Sequence, residues 1–142
     1  SSNINIEFIN YLENTLKQHR KYIQTNLIKH GIDITLDQWL VLDIIVNRKN
    51  IKQTEIAEKT SKDTASVTRI IDLLNKKAYV ARQVDPNNRR RIILGISDHG
   101  KKEYVKASEV IIEFTNKALG GLKEKRMKKI RKVFKNISKN CG

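Results

Sequence analysis

Apolar positions repeat with the period of an α-helix along most of this chain. Near the amino end they lie three, four or seven residues apart, which is the spacing of one helix face: Ile9, Leu12, Leu16, Ile23 and Leu27. This spacing predicts a first helix over about the first 30 residues. Gly31 is expected to end it, because glycine readily adopts the left-handed conformation that follows many helices.

Two later segments carry capping residues that mark the start of a helix. Thr35, with Gln38 three residues later, matches a capping box and predicts a second helix. A short helix is expected over residues 52–60, and Asp63 is a suitable N-cap for a longer fourth helix. The apolar residues of the second helix predict that it is mostly buried, and those of the fourth form a single stripe: Trp39, Leu40, Leu42, Ile44, Ile45 and Val46; then Val67, Ile70, Ile71 and Leu74.

The period then changes from 3.6 to 2. Residues 79–84 and 91–96 are rich in β-formers, and Asp85-Pro86-Asn87-Asn88 between them is a turn signal, so a β-hairpin is expected. Ser97 can cap a further helix over 98–119, which Gly120-Gly121 ends before a last helix. The apolar residues expected to face inward on the first of these helices are Tyr104, Val105, Ile111, Ile112 and Ala118. The last helix carries one apolar stripe, made of Leu122, Ile130, Val133, Phe134 and Ile137.

Composition fits one folded domain of the mainly α (α+β) class. The chain has 142 residues, of which 39% are apolar, enough for a hydrophobic core. The single Cys141 excludes an intramolecular disulfide framework, and the three histidines lack the spacing of metal ligands, so no metal is expected. No nucleophile set, phosphate-binding loop or carboxylate pair is present, so we expect no catalytic residue, no cofactor and no enzyme activity.

Charge changes this picture by indicating a partner. Lys and Arg number 29 against 15 Asp and Glu, a formal charge of +14 that divides as +1, +4 and +9 over residues 1–50, 51–100 and 101–142. DNA, RNA and an anionic membrane surface are all suitable polyanions. The lysines near the carboxyl end interleave with an apolar stripe, so they also fit the solvated face of an amphipathic helix. No apolar run could span a bilayer or act as a signal peptide, so a cytoplasmic protein without a membrane role is expected.

The order of elements narrows the partner to duplex DNA. A short helix, a tight turn, a longer helix and a basic hairpin make a winged helix-turn-helix, whose second helix enters the major groove. Hydroxyl and guanidinium groups suited to base edges and phosphates lie opposite its apolar stripe: Thr64, Ser66, Thr68 and Arg69. The hairpin arginines Arg89, Arg90 and Arg91 suit the negative potential of a minor groove.

Four segments, in order and spacing, resemble the multiple antibiotic resistance regulator (MarR) family. Residues 35–42 are similar to its L-T-x-x-Q-W-x-V-L helix, and residues 53–57 to T-Q-x-E-L-A. Residues 66–74 resemble its recognition helix T-V-T-R-L-V-D-R-L. Residues 85–100 resemble the wing signature D-P-x-D-R-R-A…L-x-L-T-x-x-G. Asn88, Arg91 and Ala78 depart from it, replacing an aspartate that orients the wing arginine, a small residue and a glycine.

The resemblance implies a homodimeric transcription regulator on a pseudo-palindromic operator. Residues 1–32 and 98–142 would be dimerisation helices, and residues 33–97 the winged helix-turn-helix of one domain. Besides Thr64, Ser66, Thr68 and Arg69, it places Arg90 in the minor groove, Arg89 and Arg91 nearer phosphates, and Lys62 and Arg82 on the DNA backbone. Repression is the commonest outcome in the family, and DNA is often released by a small aromatic or lipophilic effector.

Two points stay open at the level of sequence. His19 and Trp39 are candidates for an effector pocket, although His19 also fits a histidine hydrogen-bonded at a dimer interface. The alternative function is a basic structural protein that binds RNA or nucleoid DNA without sequence preference, which the charge alone permits. Aromatic residues make up only 6% of the chain, which disfavours the base stacking common in RNA modules.

Overall fold

The computed structural model describes residues 3–142, and Ser1 and Ser2 of the predicted first helix lie outside them. Six helices surround one two-stranded antiparallel hairpin, in the order that the sequence predicts. They are α1 (Ile4–Lys29), α2 (Leu36–Asn47), α3 (Gln53–Thr60), α4 (Thr64–Lys76), β1 (Val80–Asp85), β2 (Asn88–Ile96), α5 (Asp98–Ala118) and α6 (Glu124–Cys141).

The helices of the central region begin at the caps predicted for them. The Thr35 hydroxyl accepts from the Gln38 amide at 3.1 Å, and the Gln38 side chain accepts from the Thr35 amide at 3.0 Å, which completes the capping box of α2. Asp63 accepts from the amide of Ser66 at 2.8 Å and caps α4, while Ser97 accepts from the amide of Gly100 and caps α5. These bonds satisfy first-turn amides that have no partner within the helix.

Two helices end in the same Schellman motif. After α1, Gly31 at φ 68° donates to Ile28 and the amide of Ile32 donates to Leu27. After α4, Ala78 at φ 59° occupies the equivalent left-handed position, where the Cβ of alanine is unfavourable. The family pattern has glycine at this position, so this chain carries alanine where the backbone conformation favours glycine.

The hairpin is longer than predicted and carries its arginines on a strand. Pairing runs from Val80 opposite Ile96 to Val84 opposite Ile92, and then Asp85 pairs with Asn88. Residues 89–91 are therefore extra residues in a bulge of β2 near the turn. Turn signals locate a hairpin, but an irregular register depends on pairing that they do not encode.

The core lies where the end of α1, the helix-turn-helix, the hairpin base and α5 meet. Its largest fully buried side chains come from α1, α2, α3 and α4: Ile23, Leu27, Val41, Leu42, Ile56, Val67, Ile71 and Leu74. The inward orientation predicted for Val105, Ile112 and Ala118 of α5 is wrong for the single chain, in which all three are exposed. The apolar stripes of α1 and α6 are also partly exposed, at Ile9, Leu16, Val133 and Phe134. No helix among residues 3–142 is long and apolar enough to cross a bilayer.

Candidate nucleic-acid interface

The polar face of α4 carries the predicted base-reading residues, but these differ in availability. Thr64 and Arg69 are exposed, and the Arg69 guanidinium has one weak contact, to the Ser66 hydroxyl at 3.4 Å. Ser66 is half-buried and donates to the capping carboxylate of Asp63 at 2.9 Å. The amide and hydroxyl of Ser66 together lower the pKa of the Asp63 carboxyl. Thr64 and Arg69 are thus the α4 side chains best placed to reach an outside ligand.

Thr68 and Arg82 belong to a network that fastens α4 to α3 and β1. The Thr68 hydroxyl donates to the Thr64 carbonyl and accepts from the Gln53 side-chain amide, both at 2.9 Å. Arg82 donates to Asp72 at 2.7 Å and to Gln53 at 3.4 Å. Both predicted DNA contacts are therefore already bonded within the protein, and their contacts hold the strand against the helix.

Lys62, predicted on the DNA backbone, is paired across the turn before α4. Its ammonium lies 3.0 Å from a carboxylate oxygen of Asp37 at the start of α2, and Arg20 of α1 binds the same oxygen. Burial raises the pKa of Asp37, but the hydrogen bonds and charges of Lys62 and Arg20 outweigh it, so this pKa lies below its ordinary value. One carboxylate thus joins α1 to the helix-turn-helix.

The three wing arginines divide into two kinds. Arg89 and Arg90 are exposed, and among residues 3–142 neither guanidinium has a hydrogen bond or ion pair. The Asn88 side chain accepts from the backbone amide of Arg90 at 3.1 Å, so it shapes the backbone at the turn rather than binding an arginine side chain. Arg89 and Arg90 are free to meet phosphates or a groove.

Arg91, in contrast, points back into the protein. It donates to Glu55 of α3 and to the carbonyl of Asn50, both at 3.1 Å, and its Nε lies 3.6 Å from Asp85. Asp85 is only 5% exposed and also accepts from the amide of Asn87 at 2.9 Å. Because a buried carboxylate requires a partner, Arg91 fixes the base of the wing to α3.

The effector-pocket candidates lie on different helices, and the surroundings of Trp39 are the better defined. Its indole N–H donates to Ser108 of α5 at 2.9 Å, and its ring stacks on Tyr104 with 5.9 Å between centroids. Burial and the hydrogen bond to Asp43 raise the pKa of Tyr104. His19 is half-buried on α1. A cavity of about 280 Å³ between α1 and the start of α2 is lined by neither His19 nor Trp39.

Sequence reasoning missed the acidic and amide partners of the predicted cations. These partners are Asp37, Gln53, Glu55, Asp72 and Asp85. The sequence signal for them is weak: each lies in one of the four segments that resemble the family motifs, and periodicity does not indicate which cation it meets. Among residues 3–142, no three His, Cys, Asp or Glu side chains gather as metal ligands would.

Comparison with known proteins bears on the region just described. The MarR family model matches residues 34–92, which include α2, the helix-turn-helix and most of the hairpin. The HTH-type transcriptional regulator YcgE of Bacillus subtilis, named as uncharacterized, is 42% identical over 52 residues, which are 37% of this chain and 34% of that protein. The matched stretch thus spans about a third of that relative, and 44% of a second B. subtilis regulator, YfiV.

Solved structures extend the likeness to the whole fold. A variant MarR from E. coli in complex with operator DNA is 20% identical, with a TM-score of 0.83 over 96% of this chain and 99% of that one. CouR from Rhodococcus jostii, bound to p-coumaroyl-CoA, is 16% identical, with a TM-score of 0.84 over 96% and 95%. At these identities the likeness shows the fold, a winged helix-turn-helix flanked by long helices.

Family model, fold and relatives agree with the motifs found in the sequence. The relatives are named as transcriptional regulators, and the family is one of regulators rather than enzymes. Residues 34–92 match the MarR family model, and the chain as a whole has the winged helix-turn-helix fold of the solved MarR structures.

Proposed function

We propose that this chain is a homodimeric repressor that binds a pseudo-palindromic operator through α4 and the wing and is released by a small molecule. The observation that carries the proposal is the division of cations around the helix-turn-helix. Within residues 3–142, Arg69, Arg89 and Arg90 are exposed and have no ion pair, whereas Lys62, Arg82 and Arg91 are held by carboxylates. In this proposal Arg69, Arg89 and Arg90 contact the DNA. Lys62, Arg82 and Arg91 hold in place the turn, strand and wing base that position them.

The role of α4 follows from its exposed face. Thr64 can donate or accept at a base edge, and Arg69 can reach guanine or a phosphate from the next turn of the helix. Arg89 and Arg90 extend the same basic surface along the wing, where a narrow minor groove concentrates negative potential. The E. coli MarR variant solved with operator DNA has this fold, which supports the assignment of α4 and the wing.

A homodimer accounts for apolar surface that one chain leaves uncovered. On α1, Ile4 and Tyr11 are 76% and 77% exposed and Phe8 is 54% exposed, and Ile112 of α5 and Phe134 of α6 are also exposed. Phe8, Tyr11 and Phe134 line one groove, and large exposed apolar side chains of this kind are typical of an interface. Two-fold pairing would then place two winged regions on half-sites about one helical turn apart. A monomer in light scattering at micromolar concentration would contradict this.

Release by an effector would act through the contact between the DNA-binding and dimerisation regions. The Trp39–Tyr104 stack joins α2 of the DNA-binding region to α5 of the dimerisation region, so a ligand inserted beside it would alter their relative position. Among solved structures of this fold, CouR is bound to p-coumaroyl-CoA, and another is described as showing regulation of DNA binding of Bordetella bronchiseptica BpsR by 6-hydroxynicotinic acid. A small aromatic or lipophilic effector near Trp39 is therefore proposed, with His19 as a second candidate.

Fluorescence anisotropy tests the DNA-binding role directly. A labelled duplex from the upstream region of the chain's own gene should bind roughly 10³-fold more tightly than a random duplex at the same salt. Arg69→Ala should reduce this preference, while Lys59→Ala, an exposed lysine on α3, serves as a charge-matched control. Equal affinity for both duplexes would favour the alternative, a basic structural protein without sequence preference.

A further inference from the structure

The carboxyl-terminal helix α6 carries a cationic face that the winged helix-turn-helix does not use. Five lysines follow one another at alternating intervals of three and four residues, which places them in one row along the helix, and two more cations flank the row: Lys125, Lys128, Lys132, Lys135 and Lys139, with Lys129 and Arg131. We call these seven residues the α6 cationic face. The row is about 21 Å long at 1.5 Å per residue.

This charge is not neutralised within the chain. Residues 124–141 hold eight basic side chains and one acidic one, Glu124. Among residues 3–142, the one ion pair of α6 joins Glu124 to Lys128 at 3.5 Å, and both side chains are highly exposed. Like charges three and four residues apart destabilise a helix, so the row is not explained by helix stability.

The opposite face of α6 is apolar and lies across an open groove from α1. Ile130, Val133 and Phe134 line a part of this groove of about 470 Å³ with Phe8 and Tyr11 of α1. Further along, Phe134 and Ile137 line a second part of about 240 Å³ with Leu12 and Leu16. Val133 and Phe134 stay about half exposed in the single chain, so this side of α6 belongs to the apolar surface of the proposed dimer, and the cationic face lies on the other side of the helix.

The apolar and cationic faces of α6 together indicate which polyanion the cationic face fits, a membrane surface or duplex DNA. An amphipathic helix that inserts into a membrane uses its apolar side, which here lines the groove with α1 and is part of the proposed dimer interface. A duplex carries one negative charge per about 1.7 Å of axis, so about 12 phosphate charges lie along the length of this row. A rigid, evenly charged rod matches a straight row of lysines better than a bilayer does.

We propose that the α6 cationic face is a second, sequence-independent surface for duplex DNA, separate from α4 and the wing. A cavity of about 370 Å³ at the turn before α6, lined by Lys123, Lys125, Arg126 and Lys129, widens this surface at one end. The proposal rests on the proposed function only in taking duplex DNA as the polyanion that the protein meets. In a dimer bound to its operator, this surface can hold a neighbouring segment of DNA.

The test is a salt titration of anisotropy with a labelled random-sequence duplex. A variant with Lys125→Gln, Lys128→Gln, Lys132→Gln and Lys135→Gln keeps good helix formers and removes four charges. The slope of log K against log salt should fall by about 3.6 between about 50 and 200 mM salt if all four lysines contact phosphates, since each contact contributes about 0.9. Far-UV circular dichroism and light scattering check fold and oligomeric state.

A matched control distinguishes the effect of this particular surface from the effect of the protein's net charge. Lys17→Gln, Lys21→Gln, Lys101→Gln and Lys102→Gln remove the same charge from exposed positions on α1 and α5 that have no ion pairs among residues 3–142. This control should lower the slope by less than about 1. Equal losses in both variants, or no loss in the α6 variant, would overturn the proposal. If the fourfold variant fails to fold, Lys132→Gln with Lys135→Gln should give about half the loss, and no loss would again overturn it.

A bridging assay distinguishes this surface from the winged helix. Protein held on an immobilised duplex from its own upstream region should capture a labelled random duplex, and the α6 variant should not. Capture that persists in the α6 variant contradicts the proposal. So does an α6 variant that keeps its DNA affinity while losing binding to phosphatidylserine vesicles. Failure of the proposed function has a different signature, because the wild-type protein would then show no preference for its own upstream region.

Discussion

Replacing Ala78 by glycine should stabilise the protein at the joint between α4 and the wing. Ala78 has φ 59°, and the motif that it completes is formed by the Ala78 amide on Asn75 at 3.0 Å and the Tyr79 amide on Leu74 at 2.9 Å. The left-handed conformation costs a residue with a Cβ about 1–2 kcal/mol. Glycine removes this cost but loses about 0.5–1 kcal/mol more conformational entropy on folding. The balance predicts that the free energy of unfolding rises by about 0.5–1 kcal/mol.

Gly31 provides the matched control. It closes α1 in the same motif at φ 68°, and a Cβ built there meets no atom within 4 Å, so Gly31→Ala changes backbone strain without a steric clash. We expect this change to lower the free energy of unfolding by about the same amount. The two substitutions thus have opposite signs for one physical reason.

Urea unfolding at one fixed protein concentration measures both effects. The midpoint should rise for Ala78→Gly and fall for Gly31→Ala with an unchanged slope, since neither substitution alters the surface exposed on unfolding. An Ala78→Gly midpoint at or below that of the wild type, with Gly31→Ala destabilising as expected, would refute the reasoning. That result would mean that the contacts of Ala78 stabilise the folded state by more than its left-handed backbone conformation costs.

Four other predictions concern residues in and around the proposed interface. Arg91→Ala should cost about 1–3 kcal/mol in urea unfolding because it removes the cation beside the buried Asp85 carboxylate and the hydrogen bonds to Glu55 and Asn50, yet it should leave the salt slope of DNA binding unchanged. Arg90→Ala should lower that slope by about 1 at unchanged stability, and the reverse pattern would contradict the division of the wing arginines. Gly100→Ala should destabilise by about 1–3 kcal/mol, because its Cβ would overlap the Tyr79 backbone, with the Tyr79 Cα only 2.8 Å away. The pKa of Asp37 is lowered in the folded state, so its stabilising contribution is present at neutral pH and lost on acidification. The stability difference between wild type and Asp37→Asn should therefore shrink as the pH falls below about 4, and a constant difference would refute this.

The local signals in the sequence predicted the central region well. The capping box of Thr35 and Gln38, the N-cap at Asp63 and the helix end at Gly31 all occur where expected. These features depend on a few adjacent residues, whose hydrogen bonds and backbone preferences act within one turn. The order and type of all eight elements followed from the same kind of information.

What the sequence could not provide depends on contacts between distant residues. Arg91 was grouped with Arg89 and Arg90 because all three are adjacent cations, yet its partner Glu55 is 36 residues away. The bulge of β2 is set by strand pairing, which the turn residues do not specify. Val105 and Ile112 were expected to face inward because periodicity identifies an apolar face but not the chain that covers it.

The central claim is that Arg69, Arg89 and Arg90 contact DNA while Lys62, Arg82 and Arg91 hold the helix-turn-helix and wing in position. Binding to two duplexes tests this claim most directly. Affinity for the upstream region of the chain's own gene and for a random duplex should be measured at one salt concentration, with light scattering on the same sample. The account predicts a dimer with roughly 10³-fold preference for the upstream duplex, and a large loss of that preference in Arg69→Ala. A wild-type protein that binds both duplexes equally, or an Arg69→Ala protein with its preference intact, would contradict it.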